Sequence, residues 1–324
     1  MDVAEAFQLA RKHAVSHMGA CERAQLRWGE TSITEIVTAQ AARAVSVVPF
    51  SQNAEVLSGA DWIWWWVDGA SAYGMLVQAK RVTVTKSTWS FGFDYRSKKA
   101  VRAQRDVLLS TAATLDLVPV YALYLGTGDY RGWAPCPGVH KSGRCLGCTK
   151  RAVSLMPALL ADSSLVTDAS STYEKSVALE DMWTPPLPGS PVIKAIEREL
   201  PRPLAEFLLE PQWGTRAVAR SMIDVVLRTR QGMFGPAVTT LAAVHNAGAH
   251  DLLGPVFDEY PEDAMHGGMR YFPHMLAPLR HAPPSYVAAI IAGDIDVGGL
   301  AESLPDNVAG VVVVPVPDAR AATH

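Results

Sequence analysis

Residues Gly59–Val82 read GADWIWWWVDGASAYGMLVQAKRV, and the fold is decided there. Asp61–Val67 is almost wholly aromatic or β-branched, the composition of a well-covered strand. Met75–Val82 is a second such run with Gln78 and Lys80 in its middle. Asp68-Gly69 and Gly74 bracket the connection and supply the permissive backbone of a tight reversal. Side chains alternate faces along a strand, so Gln78 and Lys80 share one face and Val77, Ala79 and Arg81 the other. If Val67 faces Gly74 in an antiparallel hairpin, Asp61 lies opposite Lys80. A carboxylate, an amide and an ammonium then converge on one patch of an apolar hairpin, where burial without partners or purpose would be costly.

Outward from the hairpin, Ser32-Ile33-Thr34-Glu35 reads as a capping box opening a helix to about Val45, with Ile33, Ile36, Val37 and Ala41 inward. Residues 2–18 carry helical spacing at Val3, Phe7, Ala10 and Ala14. Trp62, Trp64 and Trp66 share the face opposite Asp61 and are expected to pack under a helix. After the hairpin, Lys80, Arg81, Lys86, Arg96, Lys98, Lys99, Arg102 and Arg105 are met by one acid, Asp94. Ser97–Leu115 reads as a helix whose first half presents Lys98, Lys99, Arg102 and Arg105, a patch able to neutralise phosphates or simply to be solvated. Val118–Leu125 reads as a buried strand. Strand, helix, strand predicts a crossover and parallel pairing within a mixed sheet.

Asp61 followed by Gln78-Ala79-Lys80-Arg81 on the next strand resembles the PD-(D/E)XK nuclease superfamily, most closely its Mrr-like restriction endonuclease branch, where Gln often replaces the Glu of the second motif. The resemblance covers Ile33–Gly126, and the glycine-rich run such proteins often carry before the Asp is reduced here to Gly59-Ala60. It implies a restriction-endonuclease-like mixed sheet flanked by helices. It also implies a site in which Asp61 and Gln78 ligate Mg2+ or Mn2+ and Lys80 orients the attacking water. Glu35 matches the place of an auxiliary acid on the preceding helix, with Glu55 its competitor. The implied activity is metal-dependent cleavage of nucleic acid, DNA before RNA, in bacterial restriction or anti-phage defence. The basic residues Arg81, Lys98, Lys99 and Arg102 are the expected phosphate contacts. The alternative is a non-catalytic nucleic-acid-binding or scaffolding protein that keeps a decayed nuclease fold, with Asp61 and Lys80 as a cross-strand ion pair.

The remaining chain carries less chemistry. Cys145-x-x-Cys148, with Cys136 and His140 nearby, is half of a zinc knuckle and a candidate structural Zn2+ site, against free cysteines packed as small hydrophobes. Helices are expected at Val153–Leu160, Val192–Leu200, Leu204–Leu209, Thr215–Arg230 and Pro236–His250, and strands at Tyr286–Ala292 and Val308–Val314. Residues 20–130 form the expected nuclease core, 131–150 the Cys/His loop, and 151–324 a largely helical C-terminal extension packed on it.

The 324 residues are 49% hydrophobic and 19% charged, enough apolar material for one large or two modest domains. A net charge of −3 means that any nucleic-acid surface must be local. MDVAEAFQLARKH lacks the apolar core of a signal peptide, no uncharged apolar run approaches membrane length, and four cysteines do not make a disulfide scaffold. A cytoplasmic protein with no membrane partner is expected, and a homodimer is allowed.

Overall fold

Alternation along the tryptophan-rich strand sorts its side chains between two apolar layers, and the architecture follows that division. The structure, a computed structural model, describes residues 1–50, 61–85, 88–93, 95, 102–126, 145–161, 169–184, 200–234, 243–245, 254–261 and 271–317.

The central sheet is mixed. Its strands are β1 (Ser46–Pro49), β2 (Asp61–Val67), β3 (Ala72–Arg81), β6 (Val118–Tyr124), β7 (Val153–Pro157), β8 (Val177–Ala178) and β12 (Val308–Pro315), ordered β1-β12-β2-β3-β6-β7-β8. A short β11 (Leu279–Arg280) pairs with the start of β3. Small two-stranded ladders join β4 (Thr83–Thr85) to β5 (Thr88–Ser90) and β9 (Ala243–His245) to β10 (Glu259–Pro261). β2 and β3 are antiparallel, whereas β6 returns parallel to β3 after helix α3 (Gln104–Thr114). That is the expected crossover. β12 enters between β1 and β2, parallel to β2.

One layer takes Trp64, Trp66, Met75, Val77, Val120 and Val312. It is covered by α1 (Val3–Arg23), α2 (Glu30–Ala41), α6 (Arg202–Leu209) and α7 (Gly214–Phe234). Phe7 of α1 stacks on Trp64 at 6.1 Å and lies 6.0 Å from Trp66, so these tryptophans are packing residues, as expected. The other layer holds Ile63, Trp65, Leu76, Tyr121, Val311 and Val313 under Leu108 and Ala112 of α3. Val287 and Ile290 of α9 (Ser285–Ala292) and Leu300 of α10 (Val297–Ser303) complete it. Asp61, Gln78 and Lys80 have the parity of this second layer. The remaining described helices are short: α4 (Leu146–Lys150), α5 (Ala169–Glu174) and α8 (Tyr271–Leu276).

The hairpin register differs from expectation by two residues. Val67 faces Ala72 and Trp62 faces Val77, so the strand continues with Asp61 beside Gln78. The turn is made by Asp68, whose Oδ1 accepts from the backbone N–H of Ala70 and Ser71 at 2.8 and 2.7 Å. Gly74 therefore lies inside β3, where a Cβ would meet the Trp65 indole at 2.7 Å. A shift of two conserves the faces, because the side-chain period is two.

Other boundaries move as well. α2 starts at Glu30 rather than Ser32, because the Ser32 hydroxyl turns back to the Gly29 backbone. α3 starts at Gln104 rather than at Ser97; residues 96–101 lie outside the described residues. Val153–Pro157 is a strand and Ser285–Ala292 a helix, each the reverse of expectation. Short apolar runs suit either state, and pairing with β6 decides the first. Ala243–His245, expected helical, pairs with β10 as a strand. The helices expected near 204–209 and 215–230 are α6 and α7, both slightly longer. Residues 191–199 lie outside the described residues.

Candidate active site

Three strand ends and two helix starts build a polar cluster at one end of the sheet. Asp61 opens β2 and its backbone N–H donates to Asn307 O at 2.8 Å, tying it to the residue before β12. Its carboxylate is 1% exposed and accepts two amide bonds. Gln78 Nε2 donates to Oδ1 at 2.9 Å and Asn307 Nδ2 to Oδ2 at 3.0 Å. Burial pushes the Asp61 carboxyl up to about 7, opposed by those two bonds and by the charge of Lys80.

Lys80, also buried, donates from Nζ to Gln104 Oε1 at 2.7 Å at the start of α3 and stands 5.9 Å from the Tyr121 ring centroid. Burial lowers its pKa, while the charges of Glu30 and Asp61 raise it. Among the described residues Lys80 makes no ion pair with Asp61. The simple cross-strand pair is thus replaced by two hydrogen-bonded halves that share a field.

The sequence-identified residues divide plainly. Asp61, Gln78 and Lys80 come together on one face. Glu35 does not join them: it is exposed on α2, whose buried residues Ile33 and Val37 belong to the opposite layer. Glu30 takes the position next to the strand end instead, its Oε1 accepting from Arg81 N at 2.9 Å. Arg81 points to that side too, with NH1 at 3.4 Å from Trp28 O. Arg102 is exposed and donates to Asp106 O at 2.9 Å. Glu55, Lys98, Lys99, Cys136 and His140 lie outside the described residues. Cys145 and Cys148 bracket the first turn of α4, the Cys148 N–H pointing to Cys145 Sγ at 3.4 Å. Among the described residues no three His, Cys, Asp or Glu side chains gather as a metal-ligand group.

The family described as "Family of unknown function (DUF6615)" covers residues 3–314. The chain belongs to this family. No curated protein and no solved structure matches it. The region that defines DUF6615 in this chain runs from α1 into β12, so the hairpin and Asn307 both fall inside it. Asn307, Gln104 and Glu30 are the members of the cluster that sequence reasoning missed. Asn307 is 246 positions from Asp61, and no local pattern links them. Glu30 had a usable signal, an acid directly after Gly29 at a helix start, but the Ser32–Glu35 pattern masked it.

Proposed function

We propose that the cluster is the active site of a metal-dependent phosphodiesterase that cleaves nucleic acid, DNA before RNA, in bacterial restriction or anti-phage defence. One observation carries the reading: Asp61, Gln78 and Lys80 come from paired strands onto one face, the first two in direct hydrogen-bond contact. The resemblance of the Asp/Gln-x-Lys pattern to PD-(D/E)XK nucleases supplies the reaction class and the biological setting.

The donor chemistry fits a hard divalent cation. Magnesium takes oxygen ligands and is often held by one or two carboxylates, waters and substrate phosphate. A buried carboxyl held near neutrality beside an amide is such a donor set, since a cation would offset the burial that now favours its proton. Asp61 and Gln78 would hold the ion, with Glu30 as the further acid at that end of the sheet. When bound, Mg2+ or Mn2+ supplies charge neutralisation at the phosphate and an acidified water. The chain's own groups do the rest. Asn307 and Gln78 fix the carboxylate's rotamer through its two oxygens. Gln104 anchors the Lys80 ammonium, so its positive charge faces the developing phosphate charge without reorganisation. Tyr121 and the apolar layer exclude water behind it.

A second reading, a binding protein on a decayed nuclease fold, is favoured by the near-complete burial of Asp61 with both oxygens occupied. Cleavage of duplex DNA, single-stranded DNA and RNA with Mg2+, with Mn2+ and with chelator separates the two. The nuclease reading expects metal-dependent cutting of at least one substrate. It also expects Gln78→Glu to cut at lower magnesium, because a carboxylate replaces a neutral amide. No cutting under any condition would leave the binding protein as the better account.

A further inference from the structure

A second polar cavity lies away from Asp61, where the ends of α4 and α5 and strand β8 meet α7. It encloses about 670 Å³, within the roughly 300–1,000 Å³ typical of small-molecule sites. Four cations line it, Lys150, Arg151, Lys175 and Arg228, against the acids Glu174, Asp181 and Asp224. Two of the acids are already neutralised: Lys150 Nζ is 2.6 Å from Asp181 and Arg228 Nε 2.6 Å from Asp224. Behind Asp224, Arg220 is 2% exposed and its Nη2 stays 4.0 Å from Oδ1; among the described residues neither terminal nitrogen makes a hydrogen bond. An incompletely paired buried guanidinium adds positive potential to that wall. Arg151, laid over the Tyr173 ring at 5.2 Å, and Lys175 make no ion pair among the described residues.

The lining hydroxyls constrain the ligand further. Ser176, Ser221 and Thr229 each donate their hydrogen to a backbone carbonyl, of Tyr173, Met182 and Val225, at 2.8, 3.0 and 2.8 Å. Toward a ligand they can only accept. The cavity therefore suits a molecule with an anionic group for the free cations and O–H or N–H donors for the hydroxyls. A nucleoside lacks the first and inorganic phosphate leaves most of the volume empty.

We propose that this cavity binds a nucleotide through its phosphate, with Arg151 and Lys175 as the anion ligands. Its position allows two sources for that chemistry. Arg81, Tyr124 and Val153 lie in register across β3, β6 and β7. Val153 is thus about 10 Å, two strand spacings, from Arg81, and Lys150 and Arg151 lead into it at that end of the sheet. The phosphate can belong to a free nucleotide or to a strand held at the cluster.

The test is calorimetric titration of the full chain with the four nucleoside 5′-monophosphates, with adenosine, and with a 5′-phosphorylated oligonucleotide. The proposal expects a mononucleotide to bind at least about tenfold tighter than adenosine, because charge-assisted bonds to the phosphate are lost with it. Lys175→Glu and Arg151→Glu should each weaken that binding by about tenfold or more, and Asp61→Asn should leave it unchanged. If the strand is the source, mononucleotides fail while the oligonucleotide binds and loses affinity in the same two variants. Arg151 packs on an aromatic ring, so Lys175→Glu with a melting curve matching the parent's carries the test should Arg151→Glu misfold. Equal binding of adenosine and the mononucleotides, no binding by any probe, or affinity unmoved in a folded Lys175→Glu protein would overturn the proposal. The readout is binding, so it is decided independently of cleavage at Asp61.

Discussion

Asp61 keeps its proton in the folded chain at a pH where the unfolded chain has lost it. The carboxyl moves from 3.8 to about 7, mainly through burial. Between these values the unfolded state binds fewer protons, so stability falls as pH rises. The slope approaches about 1.4 kcal/mol per pH unit. In metal-free buffer the parent should therefore lose on the order of a few kcal/mol between pH 4 and 8 that Asp61→Asn does not lose. Urea denaturation of both proteins across that range checks it, since the titrating groups away from the cluster cancel in the comparison. Superimposable pH profiles would mean that the carboxyl is not held near neutrality.

At the scale of elements, the hairpin is anchored from outside. Gly214 has φ +58°, and a Cβ there would meet the Asp68 carboxylate. That carboxylate also accepts from Thr215 N at 2.7 Å, capping the long helix α7 while its other oxygen closes the turn. Gly214→Ala should destabilise by about 2 kcal/mol, from the left-handed backbone and the displaced cap together. Thermal melts measure it; an unchanged midpoint would show that the turn and helix are not coupled. The hairpin also shows what was legible in the sequence. Strand identity, parity and the shared face of Asp61, Gln78 and Lys80 follow from period-two alternation. Register did not, because it is fixed by the Asp68 turn, and Gly74 was read as a turn residue when it is the gap that admits Trp65. Tyr286–Ala292 misled for a similar reason: seven apolar residues fit either state until α9 packs on the sheet.

For the whole molecule the decisive feature is β12. It sits between β1 and β2 and delivers Asn307 to Asp61. Sequence reasoning found the strand but had no means of placing it, because strand order between distant segments leaves no local trace. A fragment of residues 1–150 would lack the partner of β1 and one neighbour of β2, exposing a row of unpaired backbone groups along an apolar strand. Such a fragment should fail to unfold cooperatively and should aggregate. Circular dichroism and a melting curve decide this, and a cooperative transition would show that the N-terminal part folds alone.

The central claim is that Asp61, Gln78 and Lys80 act together on a phosphodiester, and the cleavage rate in Asp61→Asn and Lys80→Ala against the parent tests it most directly. The measurement uses the substrate the parent cuts, at saturating Mg2+ or Mn2+, with folding of each variant confirmed by its melt. The account predicts that both variants lose cleavage by about 100-fold or more. Lys80→Ala should retain metal binding, because an ammonium repels the cation, and Asp61→Asn should lose it. Cleavage by Asp61→Asn at the parent's rate would contradict the account.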